Sequence, residues 1–125
     1  MHAACARGTG VERRVHLELF ANGFVVIVPA RIGVRSARCR ARTWTSEPTG
    51  VVRFYGAATL DDVFAVWGLP LGPTRMLGFR GAVRLYRNGS RLRGDPRRVP
   101  LRDGDELVLE VGPYVPPHRS YRFPR

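Results

Sequence analysis

The residues that could carry chemistry are few, and no motif brings them together. The chain holds three histidines and two cysteines. Nucleophilic catalysis needs a Ser, Cys or Thr beside a histidine that a carboxylate orients, and no nucleophile elbow or cysteine-centred signature occurs. The acidic pair Asp61 and Asp62 is typical of a helix start, and no loop has the Gly-Lys-Ser/Thr ending of a phosphate-binding loop. The sequence therefore predicts a protein that is not an enzyme, has no catalytic residues and needs no cofactor.

Arginine spacing provides the best candidate for a binding site. Between positions 37 and 43, small residues alternate with Arg38, Arg40 and Arg42, which predicts a half-exposed strand. One face of that strand would present guanidinium groups about 6.6–6.8 Å apart, roughly the spacing of successive phosphates of a nucleic acid. The polyanion-binding candidates are Arg35, Arg38, Arg40, Arg42, Arg53 and Trp44, the last as a stacking surface. A solvated strand face and a site for an acidic protein are the alternatives.

Composition and charge limit the classes of partner without choosing one. The 125-residue chain has 21 Lys and Arg residues against 10 Asp and Glu, a net charge of +11, and every one of these cations is Arg. Such a charge favours nucleic acid, anionic lipid or an acidic protein. An all-arginine set also indicates a GC-rich coding bias, which weakens the inference from charge to partner. No apolar run approaches the about 18 residues of a spanning helix, so we expect no transmembrane segment.

The cysteines and the N-terminus bear on the compartment. Cys5 and Cys39 allow at most one disulfide, and we expect two reduced thiols. Residues 1–14 lack the apolar core of a secretory signal. We therefore expect a cytoplasmic protein as the chain is written, or an extracytoplasmic one if an N-terminal anchor precedes it.

Hydrophobic patterning predicts a β-rich domain with one helix. Asn22-Gly23 lies between apolar runs and predicts a hairpin over 15–28. Thr59 as N-cap, with Asp62 three residues on and an apolar stripe behind it, predicts a helix over about 60–67. The other predicted elements are strands over 37–43, 51–55, 82–87 and 107–111, a Gly/Pro-rich loop over 69–80 that is either a flap over the core or an exposed apolar patch, and an extended, Pro-rich C-terminal tail. Residues 1–12 are predicted to be a flexible N-terminus, and residues 13–125 a single domain.

The order of these elements predicts the fold class. A hairpin, a helix and two late strands are the elements of a β-grasp, an α+β fold in which a mixed sheet packs on one main helix. The strands between 37 and 55 would be an insertion. The Asn-Gly turn, the Val99-Pro100-Leu101 connection and the Asp103-Gly104-Asp105 turn make residues 83–110 resemble the second half of ubiquitin-like sulfur-carrier proteins. Those carriers activate a terminal Gly-Gly, whereas this chain ends in Arg125, so sulfur carriage is not expected.

A second resemblance covers nearly the whole chain. Its landmarks are residues 19–23, 28–34, Cys39, 50–52, 59–60, Phe64, 67–71, 94–96 and 109–112. Over residues 12–124 the chain resembles an uncharacterised family of bacterial domains, mostly of actinobacterial type, that are predicted to lie outside the cytoplasmic membrane behind an N-terminal anchor.

That family carries a His-x-His-x-His run, a His-Thr-His-Asp segment and a further histidine, which together imply a metal site. The counterparts here are Glu12, Arg14, His16, Trp44, Thr45, Ser46, Glu47 and Arg53. Only His16 and Glu47 could still coordinate a cation, and the fixed positive charge of Arg14 and Arg53 opposes one. The resemblance therefore implies a metal-free relative. We interpret His16 as a half-buried strand histidine with a backbone partner.

Two functions remain open from the sequence. The first is a non-enzymatic interaction or structural module that binds a protein or envelope partner through a sheet face or the Gly/Pro-rich loop. The alternative is a protein that binds nucleic acid or another polyanion through the arginine-rich strand.

Overall fold

An asparagine–glycine turn begins the main sheet of the computed structural model. Asn22 and Gly23 have φ values of 54° and 86°, as a two-residue hairpin turn of type I′ requires. They connect strand β1 (Arg13–Ala21) to strand β2 (Phe24–Val26). The two strands pair antiparallel, with Ala21 opposite Phe24. The predicted first hairpin is confirmed.

Short strands dominate the part of the chain that the structure describes, which is Cys5 and residues 10–125. After β2 the strands are β3 (Val34–Ser36), β4 (Cys39–Arg40), β5 (Thr43–Trp44), β6 (Val51–Phe54), β7 (Leu71–Gly72), β8 (Arg75–Met76), β9 (Phe79–Arg80), β10 (Arg84–Arg87), β11 (Ser90–Leu92) and β12 (Glu106–Val111). Helix α1 spans Leu60–Trp67, and a 3₁₀ helix spans Pro96–Arg98. The protein is therefore α+β and β-rich, as predicted.

A seven-stranded mixed sheet forms the centre of the molecule. Its order is β11-β10-β12-β1-β6-β5, and β2 also pairs with β1. β1 and β12 run parallel, with His16 opposite Glu106 and Leu19 opposite Leu109, and the other neighbours are antiparallel. Because successive side chains of a strand point to opposite faces, one face of the sheet packs on α1. The other, which we call the second face, carries His16 and Glu106.

Helix α1 begins and ends at the predicted residues. The Thr59 side chain accepts the backbone N–H of Asp62, whose carboxylate accepts the N–H of Thr59 at 2.8 Å, and Gly68 with φ of 81° ends the helix. Leu60 and Phe64 are among its buried residues. The sheet supplies the other side of the core through Val15, Leu17, Leu19, Val52, Phe54, Leu85, Leu107, Leu109 and Val111. Among the described residues, no helix has the length and hydrophobicity that crossing a bilayer requires.

Residues 69–80 form a three-stranded flap rather than a loop. β7, β8 and β9 pair antiparallel, and Met76 and Leu77 are 0% and 6% exposed. The flap therefore covers the core, and the alternative of an exposed apolar patch is wrong. Sequence patterning misses these strands because two residues are too few to show alternation.

The C-terminal segment, residues 113–125, crosses the second face without forming helix or strand. The backbone N–H of Val115 donates to Oε1 of Glu110 at 3.1 Å, and the ring of Tyr121 stacks on His16 with centroids 3.5 Å apart. Nη1 of Arg14 donates to the carbonyl oxygen of Pro124 at 2.6 Å. These contacts extend from β12 to the beginning of β1, so the segment covers polar side chains of the second face.

Candidate functional site

The predicted strand over 37–43 is wrong, and the arginine stripe does not form. A turn at residues 37–38 reverses the chain, so that Arg40 lies in β4, which pairs with β3, while Arg38 lies in the turn. Arg42 follows β4, and its Nη1 donates to the carbonyl oxygen of Ala57 at 3.2 Å. Alternation of small residues and arginines is compatible with a hairpin as well as with one strand. The three guanidinium groups therefore do not share one strand face.

Trp44 and Arg53, two further polyanion candidates, are both in contact with other residues of the protein. Trp44 in β5 is 0% exposed, so it offers no ring on which a base could stack. The guanidinium of Arg40 lies 4.8 Å from the centre of its indole ring. Nη1 of Arg53 pairs with Oε2 of Glu12 at 2.8 Å. Strand position alone does not predict this burial, because residues 31–40 fold over the Trp44 side chain and line the space beside it.

Arg35 and Arg40 do lie in one place, the lining of a groove of about 610 Å³. Arg31 also lines this groove, together with residues 29–34 and 39–41 and the end of α1 at residues 65–67. A lining of arginines and apolar side chains suits a ligand that combines carboxylates with apolar groups. We call this feature the basic groove.

Three of the positions that the resemblance compares with a metal site lie where the C-terminal segment ends. Ser46, Glu47 and Arg53 line a small concavity of about 130 Å³ that Pro124 and Arg125 also line. Trp44 is buried apart from it in β5. The concavity therefore contains one carboxylate from the predicted set beside a fixed positive charge.

His16 is held at both nitrogens of its ring. The residue is 7% exposed, so it is more buried than predicted. Nε2 lies 2.9 Å from the carbonyl oxygen of Thr49, which is the predicted backbone partner, and Nδ1 lies 2.7 Å from Oε1 of Glu106. Because a carbonyl oxygen can only accept, Nε2 carries a proton. Nδ1 therefore faces the carboxyl group.

Gly50 makes room for this ring. Its φ is +84°, and a Cβ built there would lie 3.0 Å from Nε2 of His16 and would overlap the carbonyl oxygen of Leu17. Glycine adopts this backbone conformation without strain and has no side chain to collide. The Thr49-Gly50 turn is thus shaped around the imidazole of His16.

Two carboxyl groups and a second histidine continue from His16. Glu106 is 1% exposed, and Glu18 lies two residues beyond His16 on the same face of β1. Nδ1 of His118 lies 2.7 Å from Oε1 of Glu18. The ligand-type atoms of His16, Glu18 and Glu106 all lie within 4.8 Å of one another. We call these residues, with His118, the His–Glu cluster.

Burial and the close contacts between these side chains change the pKa values of the cluster. Burial raises the pKa of Glu106 to about 7; the hydrogen bond to His16 opposes this effect and that to Glu18 adds to it. Burial also acts to raise the pKa of Glu18, but hydrogen bonds with Glu106 and His118 bring it below its usual value. The Glu18 carboxylate raises the pKa of His118. The two neighbouring carboxyl groups therefore differ in pKa: that of Glu106 is raised and that of Glu18 is lowered.

Sequence reasoning finds only His16 in this cluster. Glu106 directly follows the predicted Asp103-Gly104-Asp105 turn, and His118 lies in the predicted extended C-terminal tail. One signal was available, since His16 and Glu18 are alternate polar residues in an otherwise apolar strand. The pairing that places Glu106 beside them spans 90 residues, and no local pattern predicts that register.

The prediction of two reduced thiols is wrong. Cys5 and Cys39 form a disulfide with Cα atoms 4.9 Å apart. Their separation of 34 residues leaves no local signal for the contact. Disulfides persist mainly in oxidising compartments, so this bond bears on where the protein works.

Strand β2 presents the clearest apolar surface. Phe24, Val25 and Ile27 are 77%, 58% and 61% exposed. One edge of β2 pairs with β1, and among the described residues its other edge has no strand partner. Proteins usually protect such an edge with charge, proline or a covering loop. An open apolar edge is therefore typical of a binding surface.

The comparisons with known proteins add no family to this description. The sequence matches no family model, and no curated protein and no solved structure is significantly similar to the chain.

Proposed function

We propose that this protein is a non-enzymatic interaction module that binds an extended, acidic segment of a partner protein. The observation that carries the proposal is the open edge of β2 together with three exposed apolar side chains, Phe24 and Val25 in the strand and Ile27 directly after it. An extended peptide can add a strand to such an edge, where main-chain hydrogen bonds give affinity and side chains give specificity.

Charge selects an acidic partner over a second copy of the chain. Ile27 lies two residues before Pro29, where the lining of the basic groove begins. A strand added to β2 would continue toward Arg31 and Arg35. Two copies, each with a net charge of +11, would repel one another, whereas carboxylates on a partner would be attracted.

We also infer a β-grasp architecture. The order β2-β1-β12-β10-β11, with a parallel central pair and α1 after the first hairpin, supports it, and β5 and β6 would be the insertion. We likewise propose that the chain is related to the extracytoplasmic bacterial family. In this relative, Arg14 and Arg53 would occupy positions at which that family has histidines. The Cys5–Cys39 disulfide supports a place outside the cytoplasm.

Fluorescence anisotropy with a labelled peptide in which valine alternates with glutamate tests the proposed surface. We expect this peptide to bind and its lysine-for-glutamate analogue not to bind. The double variant Phe24→Ser, Ile27→Ser should lose at least about tenfold in affinity, because burial of a large apolar side chain contributes roughly 1.5–3 kcal/mol. Val11→Ser is the matched control, since Val11 is 73% exposed but lies outside β2.

The basic groove is tested with the same peptide at low and high salt. Arg35→Ala should weaken binding and reduce its salt dependence. The exposed Arg102, outside the groove, provides the control variant Arg102→Ala. Binding of random-sequence duplex DNA that β2 variants do not affect would overturn the proposal in favour of a polyanion binder. A dimer in sedimentation that Phe24→Ser dissociates would overturn it in favour of self-association.

A further inference from the structure

We propose that the His–Glu cluster is a binding site for one divalent transition-metal ion of the zinc class, with His16, Glu18, Glu106 and His118 as its ligands. This site is independent of the β2 surface. It differs also from the histidine set of the resembling family, with which it shares only His16.

The imidazole of His16 is oriented as a metal ligand. Nε2 donates its proton to the carbonyl oxygen of Thr49 at 2.9 Å, and histidines that bind metals commonly donate their other ring N–H to a backbone carbonyl or a carboxylate. Nδ1 is thereby directed at Glu106. Gly50 leaves room for that orientation, because any side chain at this position would collide with the ring.

The carboxyl groups converge on the same point. Glu106 is 1% exposed and the side chain of Glu18 16% exposed, and the donor atoms of both lie within 4.8 Å of each other and of a His16 nitrogen. Metal–ligand bonds of about 2.0–2.2 Å place donor atoms roughly 3–4 Å apart, so rotation of side chains is sufficient to enclose an ion. A divalent cation at this point would neutralise both carboxylates.

His118 supplies the fourth ligand from the C-terminal segment. Its Nδ1 already lies 2.7 Å from Glu18, and its side chain is 67% exposed, so it can turn toward the ion. Four protein ligands with no open position are typical of a structural site. The ion would then fasten the C-terminal segment to β1 and β12.

The fixed charge nearest the cluster on β1 is directed away from it. Arg14, two residues before His16, donates to the carbonyl oxygen of Pro124 at 2.6 Å and lies over the ring of Phe123. Its guanidinium is thus engaged with the end of the C-terminal segment. Along β1, Glu18 lies on the other side of His16 from Arg14, and Glu106 lies directly opposite His16 on β12.

Calorimetric titration of untagged, chelator-treated protein with Zn²⁺ tests the site. We expect one ion per chain, and a loss of at least about tenfold in affinity for Glu106→Gln and for His118→Ala, since even outer partners of metal ligands contribute about 10–100-fold. Zn²⁺ should also raise the melting temperature of the wild type, because an ion that binds only the folded state stabilises it. Co²⁺ should give the intense visible bands of a four-coordinate ion.

Two control variants test whether any carboxylate or any histidine outside the cluster contributes to the binding of Zn²⁺. Glu12→Gln removes a carboxylate of the Arg53 ion pair, and His2→Ala removes a histidine outside the described residues; neither should change the affinity. Circular dichroism shows whether Glu106→Gln folds. If it does not fold, the Zn²⁺ affinity of His118→Ala, a change in the C-terminal segment, tests the proposal by itself. Absence of saturable binding, or binding that the cluster variants leave unchanged, would overturn the proposal.

Discussion

At the residue scale, two buried glutamates on the second face of the sheet each pair with an arginine or histidine side chain. Glu110 is 0% exposed and pairs with Arg84 at 3.1 Å, and Glu106 meets His16 at 2.7 Å. Removing one partner of a buried pair leaves an uncompensated polar group, which costs about 3–5 kcal/mol. These pairs therefore hold β12 in register with β1 and β10, even where they add little stability relative to apolar residues.

A single methyl group at Gly50 should disturb this arrangement. Gly50→Ala would place a side chain at a φ of +84° against His16 and Leu17, so we expect a loss of roughly 2–4 kcal/mol in the free energy of unfolding from strain and displacement. Urea unfolding measures it. Gly104→Ala is the matched control, because its φ is also +84° but no atom lies within 4 Å of the added Cβ. Equal losses in both variants would show that the His16 contact contributes nothing.

At the scale of elements, the stability of helix α1 depends on the residues of its first turn. The helix is 8 residues long, and isolated helices shorter than about 12–15 residues are marginal in water. The Thr59 cap and the burial of Leu60, Val63 and Phe64 therefore stabilise it together.

Removal of the cap should destabilise the fold measurably. We expect Thr59→Ala to cost about 1 kcal/mol in the free energy of unfolding, because the N–H of Asp62 loses the Thr59 hydroxyl as an acceptor. Chemical denaturation measures the loss. Thr74→Ala, at an exposed position of the flap, should change the free energy by less than about 0.5 kcal/mol. A similar loss in both variants would contradict the role of the cap.

The elements that the sequence predicts correctly are those with a local signal. Asn22-Gly23 and the Thr59 cap have specific backbone requirements, and both lie where predicted. The interval 37–43 fails because its small residues permit a turn at 37–38 as readily as a strand. The His–Glu cluster is missed for a different reason: it depends on the parallel pairing of β1 and β12, and hydrophobic patterning predicts which face of a strand is buried but not which strand lies beside it.

At the scale of the whole molecule, two distant connections close the fold. The disulfide joins Cys5 to the hairpin of β3 and β4, and the C-terminal segment covers the second face. Both connect residues that are far apart in the sequence.

Loss of the disulfide should lower stability under oxidising conditions. Closing a loop across 34 residues contributes roughly 3–4 kcal/mol in the chain-entropy description, and we expect the double variant Cys5→Ser, Cys39→Ser to lose up to that amount. Thiol titration of the unfolded, unreduced wild type should find no free thiol. Two free thiols in protein purified without reductant would contradict the assignment.

The C-terminal segment should contribute through its aromatic contacts. Tyr121 stacks on His16 and meets Phe123 edge-on with centroids 5.0 Å apart, so Tyr121→Ala should cost about 1–3 kcal/mol in the free energy of unfolding. The neighbouring Arg122 is exposed, and Arg122→Ala should have little effect. Thermal unfolding compares the two variants, and equal melting temperatures would show that the segment is not fastened there.

The C-terminal segment is synthesised after the sheet that it covers. A ribosome makes the chain from its N-terminus, so His16 and Glu106 exist long before the residues that shield them. Since domains generally fold during or just after synthesis, the sheet can pair while its second face is still open to water. Residues 113–125, which are made after the last strand of the sheet, cover that face afterwards.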